Sequence, residues 1–273
     1  MPARPSLSNQ SSRKMSKASR RLAATAVLLM CSLGRGSEDA TGATVDPANP
    51  PADAPAAQLH AAQLHAAVHA GDVESLRSLL SAGAAAAAVD ERGMSALHWA
   101  SLTGDETIAT LLIDAERAAV NMRNAKGSVP LHLCSLRGHA GVAAALLGAG
   151  AEVDVPNAEG NTPLHAAAEH GNTDVVLLLL EAGAAASVPN PREGWTPLHL
   201  TALHGHYASA KALLDAGAHA DAIARGGAPL HMAAHKGDVD LLRLLVERGA
   251  QVDGGRPVFI SFLFLWADWG ARR

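Results

Sequence analysis

Asn157-Ala-Glu-Gly-Asn-Thr-Pro-Leu-His-Ala-Ala-Ala-Glu-His-Gly171 runs into Val175-Val-Leu-Leu-Leu-Leu180 and closes on Glu181-Ala-Gly-Ala184. Each part has a physical reading. Thr162 is a good helix cap, and Pro163 suits the first helical position, where its missing N–H costs nothing. Leu164, Ala167 and Ala168 make a small-residue face that lets another helix approach closely. Gly171 ends that helix after about two turns. Asn172 or Thr173 starts a second helix with Val176, Leu179 and Leu180 as its buried stripe. Gly183 fits the left-handed position just past a helix end. Helices this short are not stable alone in water, so each needs neighbours.

The neighbours are other copies of the same unit. His65, His98, His132, His165, His199 and His231 each follow a Leu and precede a Gly six residues on, from Gly71 to Gly237. They recur at intervals of 33, 34, 33, 34 and 32 residues. A period near 33 residues means a stacked solenoid whose stability is mainly a nearest-neighbour property.

The Thr-Pro-Leu-His run stands whole at Thr162–His165 and Thr196–His199. It survives as Val129-Pro-Leu-His132 and Ala228-Pro-Leu-His231, and more weakly as Ser95-Ala-Leu-His98. The Gly-Ala close recurs at Gly83, Gly150, Gly183, Gly217 and Gly249. These units closely resemble ankyrin repeats. The resemblance implies an all-α solenoid of stacked helix-turn-helix units joined by β-turn fingers, with six units over about 59–253. It further implies that the repeated His is structural, bonding backbone groups that tie one unit's turn to the next. Two units depart from the pattern. The second lacks a Gly after Leu111-Leu-Ile-Asp-Ala115 and has one extra residue, so its loop is expected to be irregular. The connection Val188-Pro-Asn-Pro-Arg-Glu-Gly194 is also one residue longer, and Pro189 and Pro191 should stiffen it.

Composition agrees with this architecture. Apolar residues make up 48% of the 273 residues but aromatics only 3%, so Ala and Leu carry the core. Residues 1–36 hold seven Lys or Arg and no acid, which leaves −4 − 7 = −11 on the rest. An acidic repeat domain argues against a nucleic-acid partner, which needs a basic stripe. Of the two cysteines, Cys134 sits where sibling units have Ala67, Ala100, Ala167 and Ala233, and reads as a small core residue.

The ends differ from the repeats. Residues 1–35 form a basic leader in which Arg13 to Arg21 precede the apolar run Leu22–Leu33. That run is too short to span a bilayer but suits a secretory signal; a transit peptide or an untargeted tail fits the composition too. Location follows the leader: cytoplasmic if it is no signal, the secretory route or an organelle lumen otherwise. Residues 36–58 read as an acidic Ala/Pro linker. The duplication Gln58-Leu-His-Ala-Ala62 and Gln63-Leu-His-Ala-Ala67 offers two registers for the first unit, and only the second keeps the 33-residue spacing. Residues 254–273 hold all three Phe and two of the four Trp. This tail reads as an apolar cap, a contact segment or a misread coding end.

Fourteen histidines invite a metal hypothesis, but six of them recur at the repeat period and are expected to form a ladder rather than converge. No His-Glu-x-x-His, nucleophile elbow or phosphate loop is present. The expectation is therefore a monomeric, non-catalytic scaffold without cofactor or stable membrane span, binding a protein on its concave face. The alternative is a targeted escort factor that shields a client after leader cleavage. Carried over by position from the family, the finger candidates are Met94, Lys126, Glu159, Asn161, Arg192 and Trp195. The groove candidates are Leu102, Leu136, Arg137, Glu169, His170, Leu203, His204 and His235. Trp195 is singled out as a finger-tip aromatic whose loss should weaken binding without lowering stability; the competing reading lays it along the next finger.

Overall fold

The protein is described here by a computed structural model that covers residues 54–251. The leader, most of the linker and the C-terminal tail lie outside the described residues. Among the described residues twelve α-helices form six antiparallel pairs. The first helices of the pairs are α1 (Ala54–Ala70), α3 (Ala96–Thr103), α5 (Pro130–Arg137), α7 (Pro163–Glu169), α9 (Pro197–His204) and α11 (Pro229–Lys236). The second helices are α2 (Val73–Ser81), α4 (Glu106–Ala115), α6 (Ala140–Gly148), α8 (Thr173–Glu181), α10 (Tyr207–Asp215) and α12 (Val239–Glu247). Only isolated bridges, Val89 with Ser95 and Ala224 with Gly227, represent β-structure among the described residues. Helix α1 begins five residues before the expected start at 59 and carries both copies of the Gln-Leu-His-Ala-Ala duplication.

Each of these helices buries at least one leucine. Leu64, Leu97, Leu131, Leu164 and Leu198 of the first helices are fully buried, as are Leu76, Leu112, Leu146, Leu179, Leu213 and Leu241 of the second. Removing a buried leucine of this kind costs about 2–5 kcal/mol, because the cavity closes only partly. Between successive first helices sit Ala67, Ala100, Cys134, Ala167, Thr201 and Ala233, all buried. Their small volume permits the close stacking. Cys134 occupies such a place: burial pushes its thiol up to about 12, and Sγ–H donates to Leu131 O at 3.2 Å.

Three ladders of polar contacts run across the stack. The first is the histidine ladder. Nδ1 accepts from the backbone N–H of the residue that caps the same helix: Ser95 for His98, Val129 for His132, Thr162 for His165 and Thr196 for His199, at 3.1–3.2 Å. Nε2–H donates forward to a carbonyl of the next unit: Ser128 at 3.0 Å, Asn161 at 2.9 Å, Trp195 at 3.1 Å and Gly227 at 3.1 Å. His65 does the same with Ala88 O at 3.2 Å, which fixes the second register for the first unit. This bonding assigns the neutral Nε2–H tautomer to each interior ring. Thr162 and Thr196 thus act through their backbone N–H, while each hydroxyl bonds the same imidazole at 2.9 Å.

The second ladder lies at the opposite end of the first helices. His139 Nε2 donates to Leu102 O at 3.3 Å, Asn172 Nδ2 to Ser135 O at 2.7 Å and Leu136 O at 3.1 Å, and His206 Nε2 to Glu169 O at 3.0 Å. Lys236 Nζ bonds His204 O in the same way. These side chains need a glycine beneath them. A Cβ on Gly104, at φ +79°, would lie 2.4 Å from the His139 ring, and one on Gly138 would lie 2.7 Å from Asn172. The interface of the first two units departs from this scheme. Asp105 there caps its own helix by accepting from Ile108 N at 3.0 Å. Gly71 has open space about its Cβ direction, and a shallow cavity lies between Val68–Gly71 and Thr103–Asp105.

The third ladder joins the fingers. Asp90, Asn124, Asn157 and Asn190 each accept two backbone N–H groups of their own turn through Oδ1. Neighbouring fingers then bond through the backbone: Ala125 N to Arg92 O at 3.0 Å, Ala158 N to Lys126 O at 2.9 Å and Arg225 N to Glu193 O at 2.9 Å. Between the third and fourth fingers Pro191 has no N–H to give. Its ring lies against Gly160 instead, and Asn190 Nδ2 bonds Asn161 Oδ1 at 3.1 Å. The irregular loop of the second unit is a 3-10 turn, Arg117–Asn121, with Ala119 and Val120 buried. The extra residue places Glu116 so that its carboxylate accepts from Ala87 N of the first unit at 2.8 Å.

Two expectations follow for stability. Burial pushes His98, His132, His165 and His199 below the ordinary histidine value, His132 to about 4. The unfolded chain therefore binds more protons than the folded one between that value and about 6.5. The ladder's contribution is whole above about pH 6.5 and is lost as pH falls toward about 4, on the order of 3 kcal/mol for His132 alone. Thermal melts should be flat above pH 7 and drop steeply below 6; a melting point constant from pH 7 to 4.5 would refute this. Second, Gly104→Ala should cost about 3 kcal/mol in the native chain but only about 1–2 in a His139→Ala background, where the left-handed backbone penalty alone remains. Equal costs in the two backgrounds would remove His139 from the account.

Candidate partner-binding surface

The fingers and the C-terminal ends of the first helices leave side chains that the ladders do not consume. Lys126, Glu159 and Arg192 are exposed on the fingers. Arg137, Glu169, His170, His204 and His235 are exposed along the groove. Leu102, Leu136 and Leu203 lie between them, half-buried, and lend the groove apolar area. The rungs hold the backbone of each position in register with the next while leaving these side chains outward.

Three finger candidates behave otherwise. Met94 is buried at 7% exposure, and its sulfur accepts from Asn124 Nδ2 at 3.2 Å. It is a spacer between two fingers rather than a contact residue. Asn161 is half-buried and bonded at both ends: its N–H donates to Asn157 Oδ1 and its carbonyl accepts from His132. Trp195 is half-buried and packs against the core, so the expectation of a freely exposed finger-tip indole needs correcting. Its backbone takes part in two ladders, through Asn190 Oδ1 and His165 Nε2. Its indole Nε1 is buried without a hydrogen-bond partner. Replacing Trp195 therefore removes packing as well as surface, and stability does not isolate binding at this position.

Other residues at the surface were not singled out from the sequence. Trp99 is half-buried at the start of the groove and packs against the core. Its indole N–H donates to Asp90 Oδ2 at 3.1 Å, and its ring meets His69 at a centroid distance of 4.3 Å. Ile223 is 65% exposed just before the fifth finger. The only signal for it was an isoleucine in a loop of alanines, at a place where the repeat fixes backbone and not side chain.

Electrostatics separates the structural histidines from the surface ones. The interior rings are held neutral by burial. His206 is also lowered, first by burial, and then by His204, Lys236 and His170, which face it as positive or protonatable neighbours. His204 and His206 stack with centroids 5.9 Å apart. Among the described residues no group of three or more His, Cys, Asp or Glu side chains is placed to hold a metal ion. No helix of the described residues is long and apolar enough to cross a membrane.

The repeat geometry and an independent comparison agree. The family model for ankyrin repeats (3 copies) matches residues 64–157, 131–224 and 186–255, which together cover well over half of the chain. The periodic His-Gly spacing, the paired helices, the bonded fingers and these matches lead to one conclusion: the chain belongs to the ankyrin-repeat family.

Proposed function

We propose that this protein is a non-catalytic scaffold that binds a partner protein on the concave surface formed by its fingers and first helices. Ankyrin repeats generally mediate protein–protein interaction; the site and the adaptor role are our reading for this chain. One observation carries it. The side chains that repeat are spent on ladder contacts, while Lys126, Arg137, Glu159, Glu169, His170, Arg192, His204 and His235 vary from unit to unit and stand exposed around half-buried leucines. Apolar area framed by varied polar groups is the composition of a recognition surface. Rigidity supports the same reading, because a groove ordered before binding loses little entropy on association.

The test is affinity capture from native extract with the full chain as bait, beside Leu136→Ala/Leu203→Ala. These leucines are half-buried on the groove rather than core, so the pair should fold, which its melting curve verifies. We expect a partner retained by the native chain and reduced by about tenfold or more with the double variant, a loss of about 1.4 kcal/mol or more. Equal recovery by both baits would move the binding site off the concave face.

A further inference from the structure

We infer that the partner segment is acidic, with apolar residues interspersed; this rests on the concave-surface reading above. The inference comes from how charge is distributed. Residues 54–251 carry twelve Lys or Arg and twenty Asp or Glu, so the domain is acidic at −8. The finger and groove positions reverse that balance. They hold Arg92, Lys126, Arg137, Arg192, Arg225 and Lys236, all exposed. Against these six stand four exposed carboxylates, Glu91, Glu159, Glu169 and Glu193, for a net +2. The remaining six basic and sixteen acidic residues put −10 on the rest of the domain. Asp90 sits at the base of a finger, but its carboxylate is taken up by Arg92 N, Met94 N and the Trp99 indole.

Several of these basic groups are uncommitted. Arg137, Arg192 and Arg225 make no side-chain hydrogen bond or ion pair with any described residue, in contrast to Lys211 and Arg248, which pair with Asp215 at 2.8 Å and 2.6 Å. His170, His204 and His235 lie exposed on three successive units beside Lys236 and add imidazole rings to the same strip. A cationic groove on an acidic body steers an anionic segment to one face and repels it elsewhere. Half-buried Leu102, Leu136 and Leu203 supply apolar contact between the charges.

A nucleic acid fits the same face poorly. Its phosphates follow one another about every 1.7 Å along a duplex, with no gaps for carboxylates. Glu91, Glu159, Glu169 and Glu193 interrupt the basic groups on the first, third and fourth fingers and their helices. A peptide can space its acids to avoid them.

The experiment uses the full chain and a fluorescein-labelled peptide of Glu-Leu-Ser triplets, about twelve residues long, with a Lys-Leu-Ser counterpart and a short single-stranded oligonucleotide as comparison probes. Fluorescence anisotropy should show the Glu peptide binding and weakening about tenfold between low and moderately high salt. Arg137→Glu/Arg192→Glu should weaken it by about tenfold or more, while Arg77→Glu/Arg243→Glu on the second helices should change it less than about twofold. The proposal is overturned if the Lys peptide binds as well, if both pairs of variants act equally, or if the oligonucleotide outbinds the peptide. Failure of the Glu peptide while the captured partner still depends on Leu136 and Leu203 would remove only the acidic chemistry. Failure of both experiments would remove the concave-surface reading too.

Discussion

Each interior repeat histidine has two ring nitrogens, and both are committed to backbone. Nδ1 closes the start of its own helix, and Nε2 holds a carbonyl of the following unit. This one contact makes a set of helices of seven to ten residues into a stack, because no such helix is stable by itself. It works only while the ring is neutral, since a proton on Nδ1 would face a backbone N–H. Burial supplies that condition. The apolar core gives more free energy, yet leucine contacts are tolerant of angle and register. The histidine bonds are directional and set the spacing of the fingers.

The second ladder shows how the same frame tolerates different chemistry. His, Asn and Lys each reach back to the preceding first helix, and the demand common to them is an N–H donor beside a helix end whose carbonyls lack partners. Asp105 breaks the rule and caps its own helix instead, leaving a shallow cavity between the first two units. Glu116 offsets part of this loss by accepting from Ala87 on the far side of the same interface. The second unit's irregular loop is therefore a different tie, not a defect in the stack.

The architecture was legible in the sequence because the ladders depend on residue types that must recur. His165, Pro163, Gly171 and Leu164 each do a job that few residues can do, so the period was visible before any coordinate. The second register at the duplicated Gln-Leu-His-Ala-Ala followed from spacing alone, and the bond from His65 to Ala88 agrees with it. The surface was less legible. Met94 and Trp195 occupy finger positions, yet Met94 fills the gap to Asn124, and Trp195 is half-buried against the core. Trp99, within a first helix, packs against the core and also meets Asp90 and His69. A repeat pattern fixes where a backbone position lies. It does not fix how a side chain uses the space left by its neighbours.

The central claim is that the histidine ties the units together, and His165→Ala tests it most directly. The substitution leaves the buried Thr162 N–H without its acceptor and takes from the Trp195 carbonyl one of its two donors, the Asn190 N–H staying at 2.7 Å. Urea unfolding near neutral pH should then show a loss of about 2–4 kcal/mol, from one unsatisfied buried donor at about 1–3 together with the cavity left by the imidazole. A loss below about 0.5 kcal/mol would show that the leucine core alone holds the stack and that the histidine ladder is incidental to it.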